Sequence, residues 1–305
     1  MTLQGKVTTY NFYAGLEKPT DNTGVGSMKD WYKAFARMMR EWQHLKMAKH
    51  AGRGNDATHI GELAIPCIAC PRPGVNLPDD WKEAPKSKRC VSLLDIFAIN
   101  ACFRLKRHLV SSEARDPDLD SGMSYFTEDA LFRKFLLGVT DQREMLTCTG
   151  LAALDHANTK YSRGYVMTGV GLGVCARHKF FQKNGVVDLQ KGEWYANMDY
   201  AYASLLRHHD PNLTKVTSYN IVCQWYKNLV ARLHIYGHQL FCQLQFSLNW
   251  LWGAGRTDGE GVERGWSGAT STQDMGPGSR HGTMNNHFGH WNWIKLTGLG
   301  ACGFL

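Results

Sequence analysis

Val91-Ser92-Leu93-Leu94-Asp95-Ile96-Phe97-Ala98-Ile99-Asn100-Ala101-Cys102-Phe103-Arg104-Leu105 is the stretch that decides the fold class. It is too rich in Leu, Ile and Phe for a loop and reads as a buried strand. Two more strand-like runs follow, Gly164 to Cys175 and Val216 to Val222. The second leads into Trp225, Leu229, Leu233 and Tyr236 at helical spacing. Strands interleaved with a helical pattern give an α/β class. Gly169, Gly171 and Gly173 form G-x-G-x-G, which lacks the spacing of a dinucleotide loop and has no clear helix after it, so that site is rejected.

Upstream, Ser27-Met28-Lys29-Asp30 resembles a capping box. Trp31, Phe35, Met38, Trp42 and Leu45 then recur at helical spacing, with Gly52 as a stop. This is an amphipathic helix whose other positions carry Lys29, Lys33, Arg37, Arg40, Lys46 and Lys49: a solvated face, or one that tracks a DNA backbone. Residues 53–90 are proline-rich and loop-like, and they contain Cys67-Ile68-Ala69-Cys70.

The chain has 305 residues, 43% hydrophobic, with ten Trp, twelve Tyr and thirteen Phe, enough for a sizeable core and too aromatic for a disordered chain. No apolar run approaches the roughly 20 residues of a membrane span, and Met1 to Lys6 lacks the order of a secretory signal. A soluble protein of a reducing compartment is expected, with its nine scattered cysteines as thiols or metal ligands. A net charge of +8 favours a polyanionic partner, because clustered Lys and Arg release counterions from phosphates.

Cys67-x2-Cys70 is either half of a zinc site or a pair of buried thiols. Cys175-x2-His178 and His234-x3-His238 have spacings that could close a structural zinc site of one Cys and three His, with His234, His238 and Cys242 on one helical face. Hydrogen-bonded histidines are the alternative.

Many blocks in order resemble one family. They include Thr20-Asp21-Asn22-Thr23-Gly24, Cys67 to Pro78, Asn100 to Arg107, Cys175-Ala176-Arg177-His178, Asp188 to Tyr200, and Ser218 to Trp225. Gly255 to Trp266, Met275 to Arg280 and His287 to Trp293 continue the series. The chain is similar to the Kyakuja-Dileera-Zisupton (KDZ) DNA transposases, in their CxC2-associated fungal type. The resemblance implies a ribonuclease-H-like core with a helical insertion over 91–305, after a helical, zinc-ribbon-like region over 1–90. It also implies metal-dependent DNA cleavage and strand transfer in the nucleus, with no membrane partner and with oligomers possible.

Such chemistry uses two Mg²⁺ or Mn²⁺ ions held by carboxylates, one activating the attacking oxygen and the other stabilising the leaving one. Here the family's first and second carboxylates correspond to Asn100 and Asn220. Glu260 is taken as the third acidic residue, with Glu263 one helical turn on and Asp199 a further candidate. Losing two negative charges should collapse affinity for the ion pair, and Asp95, at an odd offset from Asn100, points to the other sheet face. The expected protein is therefore a transposase relative without catalysis, or a retained DNA-binding or Zn²⁺-binding module. DNA contacts are assigned to Arg104, Lys106, Arg107, Arg256, Arg264 and Arg280. The segment before His234 reads as contracted, and both ends as shortened.

Asn285-Asn286 and Trp194 also replace family Asp and Arg residues. Each Asp-to-Asn change needs one G-to-A transition, and Arg-to-Trp can need one C-to-T, the trace of cytosine deamination in a silenced repeat. The codons at 100, 220, 285 and 286 should thus lie one transition from Asp codons in intact genomic relatives; transversions there would refute the silencing.

Overall fold

The structure is a computed structural model, and it describes residues 7–20, 23, 25–26, 29–54, 57–85, 87, 93–139, 164–221, 230–231, 234–269 and 271–301. The run around Ile96 forms β1 (Leu94–Cys102), buried at every position but the half-buried Asn100. It is an inner strand of a four-stranded sheet ordered β5-β4-β1-β6, with β4 Gly169–Cys175, β5 Phe181–Leu189 and β6 Thr214–Tyr219. β4 runs antiparallel to both β1 and β5, and β6 joins β1 in parallel with Ile99 opposite Tyr219. Two short strands, β2 (Arg107–His108) and β3 (Tyr165–Met167), pair with each other. In chain order the helices are α1 (Thr9–Thr20), α2 (Tyr32–His50), α3 (Asp129–Gly138), α4 (Tyr195–Leu206), α5 (Leu240–Phe246), α6 (Gly261–Trp266) and α7 (Pro277–Ala301).

Because side chains alternate along a strand, β1 feeds two cores. Ile96, Ala98 and Cys102 pack with Val170, Leu172 and Val174 of β4, and with Val262 of α6 and Met284 and Phe288 of α7. Phe97, Ile99 and Ala101 face the other way, onto Met198, Ala201 and Leu205 of α4. Asp95 shares that second face, buried and bonded to His209 Nδ1 at 3.1 Å, which keeps it away from Asn100 as the odd offset requires.

The glycines of β4 seat α4. A Cβ on Gly171 would stand 2.6 Å from Met198 Sδ, and one on Gly173 2.7 Å from Leu205 Cδ2. They are therefore a helix-packing surface within a strand.

Several sequence expectations need adjustment. The Gly164–Cys175 run is two strands, and the third strand starts at Thr214 and ends at Tyr219. Ser27 and most of the Trp225–Leu233 pattern lie outside the described residues. The helix from Tyr32 forms, but its apolar stripe faces outward, with Trp31, Met38, Trp42 and Leu45 all more than half exposed. What it turns inward is a mostly polar edge around the buried Met47: Arg40 pairs with Asp116 at 2.6 Å, His44 with Asp120, and His50 stacks on Trp293 at 4.2 Å.

β5, α4 and α7 are elements that the hydrophobic pattern does not announce. α7 begins with Pro at its first position, where the missing N–H costs nothing. Its inner face carries Arg280, Met284, Asn285, Phe288 and Asn292, a largely polar set that hides it from a hydrophobicity reading. Asn292 donates to the Ile65 and Phe181 carbonyls at 2.8 and 3.0 Å and accepts from Phe181 N at 2.9 Å, tying residues before β1 to the sheet.

Arg280 has no exposed surface. It pairs with Asp188 at the end of β5 and donates to the Leu105 carbonyl at 2.7 Å. His281 bridges Asp188 at 2.8 Å and Asp118 at 3.0 Å. Despite burial, these carboxylates raise the His281 pKa to about 9. Burial pushes Asp188 up, but Arg280 and His281 outweigh it and hold the carboxyl well below its usual range. Removing one member leaves a buried charge uncompensated, so Asp188→Asn should cost about 3–5 kcal/mol in urea unfolding. The histidine's share of stability is full below its unfolded pKa of about 6.5 and is lost as pH rises through about 9. The unfolding midpoint of the native chain should therefore fall between neutral pH and pH about 10, and a His281→Gln chain should lack that part of the slope.

Candidate functional site

Two groups of ligand-type side chains converge among the described residues. The first joins Cys67 and Cys70, from the loop before β1, to Cys175 at the end of β4 and His178 in the β4–β5 turn. Their ligand atoms all lie within 4.8 Å of one another. Cys70 Sγ is 3.1 Å from Cys175 Sγ, too long for a disulfide, and His178 Nδ1 lies 3.4–3.5 Å from the three sulfurs. Phe180, Leu296 and Leu299 pack around the group.

Three thiols and an imidazole at this range match a closed structural zinc site. Hydrogen bonds from Cys67 and Cys70 pull the Cys175 thiol well below its ordinary pKa, while sharing a site with Cys175 pushes Cys67 and Cys70 up. Three thiolates would need a cation between them. This pairing corrects the expectation that Cys175 and His178 would close with His234 and His238. The β4–β5 turn points to Cys67 and Cys70 instead, so the site closes across the chain, not within residues 1–90.

The second group is His234, Glu260 and Glu263. Asp258 Oδ1 accepts from Glu260 N at 3.0 Å, and Gly259 has φ +78°, where a Cβ would meet Ser218 Oγ at 2.7 Å. That turn sets Glu260 against the end of β6, and α6 follows with Glu263. His234 Nε2 lies 3.4 Å from Glu260 and 3.1 Å from Glu263. Both carboxylates raise the His234 pKa to about 10, and His234 lowers that of Glu263.

Asn100 donates from Nδ2 to Glu263 Oε1 at 3.2 Å and accepts from Ala101 N at 2.8 Å. Asn220 directly follows β6, next to Asn100 by the Ile99–Tyr219 register, and its carbonyl accepts from His238 Nε2 at 2.8 Å. The sequence-predicted Asn100, Asn220, Glu260 and Glu263 are thus neighbours. Asp199 is not in this group; it rides on α4, on the opposite face of the sheet. His234 and His238 do not share a helix: His234–Gly237 is a 3₁₀ turn and α5 starts only at Leu240, which also separates Cys242 from them. The place of His234 beside the glutamates escapes a sequence reading, since nothing in its spacing points to residues 26 and 29 positions later.

Of the six basic residues assigned to DNA, Arg104, Arg256 and Arg264 are exposed, Arg264 being paired with Asp258. Lys106 lies over the Tyr165 ring at 4.4 Å. Arg107 and Arg280 are corrected: they are 6% and 0% exposed, and Arg280 is consumed by Asp188, so neither presents its charge on the surface.

The chain matches the model of the Kyakuja-Dileera-Zisupton transposase family over residues 95–292. No curated protein and no solved structure matches it. No helix among the described residues is long and apolar enough to cross a membrane.

Elemental analysis of the purified chain should find one zinc per molecule. Chelation, or Cys175→Ser, should lower the melting temperature by several degrees, whereas His238→Gln should leave the zinc in place; retention of zinc by Cys175→Ser would exclude the four-ligand site.

Proposed function

The chain belongs to the Kyakuja-Dileera-Zisupton transposase family, and from that premise we propose that it is a catalytically silent member that keeps a DNA-binding, zinc-stapled fold and acts in the nucleus. The observation that carries this is the Asn100 amide donating to Glu263, with His234 against both glutamates.

A ribonuclease-H-like core is supported by the sheet. Three strands run antiparallel in turn, a helix follows, and the fourth strand lies parallel to the first. Positions 100 and 220 then sit at neighbouring strand ends, where that fold would hold its metal-binding carboxylates.

The donor set does not fit two Mg²⁺ ions. Two glutamates facing two divalent cations leave two positive charges unbalanced, and hard Mg²⁺ takes oxygen ligands rather than imidazole. An amide that donates its N–H to Glu263 also occupies an oxygen a metal would need. The alternative reading, a retained zinc-binding or DNA-binding module, is favoured by the Cys67, Cys70, Cys175 and His178 group, which is complete while the acidic site is not. DNA as partner rests on the family and the net charge of +8.

Labelled linear DNA incubated with Mg²⁺ or Mn²⁺ tests the silence. The native chain should not nick it, and Asn100→Asp/Asn220→Asp should raise nicking by on the order of 100-fold or more, the equivalent of about 3 kcal/mol of restored charge stabilisation. Adding Glu260→Gln to that variant should abolish it. Metal-dependent nicking by the native chain that Glu260→Gln removes would overturn the reading.

A further inference from the structure

Tyr236, Phe241, Trp250 and Trp252 are 73%, 66%, 69% and 65% exposed, and Leu240 and Leu244 are exposed beside them. A single exposed aromatic residue is ordinary, but four within residues 236–252 concentrate open ring surface in one segment. The segment is anchored. Cys242, Leu248 and Ala254 are buried, Val230 N donates to the Phe246 carbonyl at 2.6 Å, and Leu248 N donates to the Val230 carbonyl at 3.2 Å. Trp250 is held by its Nε1, which donates to the Gln243 carbonyl at 3.3 Å, while most of its surface remains open.

The charge along this segment has one sign. No Asp or Glu occurs between Asp210 and Asp258, a stretch that contains Lys215, Lys227, Arg232 and Arg256. Arg256 is exposed. His234, two residues before Tyr236 on the same 3₁₀ turn, reaches Glu263.

We propose that residues 236–256 form a stacking platform for an unpaired DNA strand beside Glu260 and Glu263. This rests on the reading of the chain as a DNA-binding transposase relative and names the form of DNA it takes. Flat aromatic faces in a cationic setting gain from base stacking without regard to sequence, and only unpaired bases offer those faces. A duplex keeps its bases stacked inside.

Fluorescence anisotropy on the full chain, with a labelled oligo-dT and a duplex of equal length, provides the test. Trp250→Ala/Trp252→Ala should weaken single-strand binding about tenfold or more and change duplex binding less than about twofold, whereas Trp250→Phe/Trp252→Phe should keep most of it. Tyr236→Ser, at the most exposed of the four, supplies an independent variant if the double substitution does not fold. Unchanged single-strand affinity in the folded variants would overturn the platform and leave DNA binding standing. Binding of neither DNA by the native chain would remove the DNA-binding reading and the platform with it. A change of association state by light scattering, at constant DNA affinity, would make the surface an interface between copies and refute the inference.

Discussion

A guanidinium with no exposed surface organises this molecule. Arg280 at the start of α7 must meet a carboxylate in the interior, and Asp188 at the end of β5 supplies it. The same contact brings α7 across the sheet, because Met284, Phe288 and Asn292 follow at helical spacing on the inner face. Asn292 then bonds to Ile65, two residues before Cys67, and the cysteine group closes beyond it. An ion pair at one end and a sulfur cluster at the other thus hold the helix that covers one face of the sheet. Such a pair adds little net stability over apolar packing, but leaving either charge alone is costly, so it fixes this arrangement against others.

What the sequence revealed depended on whether burial was apolar. β1 is legible because both its faces meet hydrophobic layers, giving a continuous run. α7 is not, since its inward face includes Arg280, Asn285 and Asn292, whose partners lie far away in sequence. α2 misleads in the opposite sense: its apolar stripe is real, but the fold turns the Arg40, His44 and His50 edge inward. At the metal groups, spacing identifies half-sites and cannot pair them. Cys-x2-Cys and Cys-x2-His look equally complete alone, and only the β4–β5 turn decides that they belong together.

The two groups differ in how far they would depend on a cation. An ion held by Cys67, Cys70, Cys175 and His178 would tie the loop carrying Cys67 and Cys70 to the sheet, and removing it would release that tie. The acidic group instead gains from what its amides remove. Four carboxylates at positions 100, 220, 260 and 263 would repel one another unless cations lay between them, a cost that metal binding offsets in an active enzyme. Asn has nearly the shape of Asp, so the strands keep their packing while that repulsion falls.

His234 completes the exchange. Its pKa, raised to about 10, makes it a cation at neutral pH between Glu260 and Glu263, supplying from a side chain part of the charge that a metal would otherwise bring. Asn100 adds a neutral donor to the same Glu263 oxygen. On the proposed reading, a site that would need an ion to be stable is balanced without one, the usual opposition between strained, charged active sites and stability. The loss of catalysis proposed for this chain would therefore be compatible with an intact fold, because the substitutions that remove the ligands also remove the repulsion.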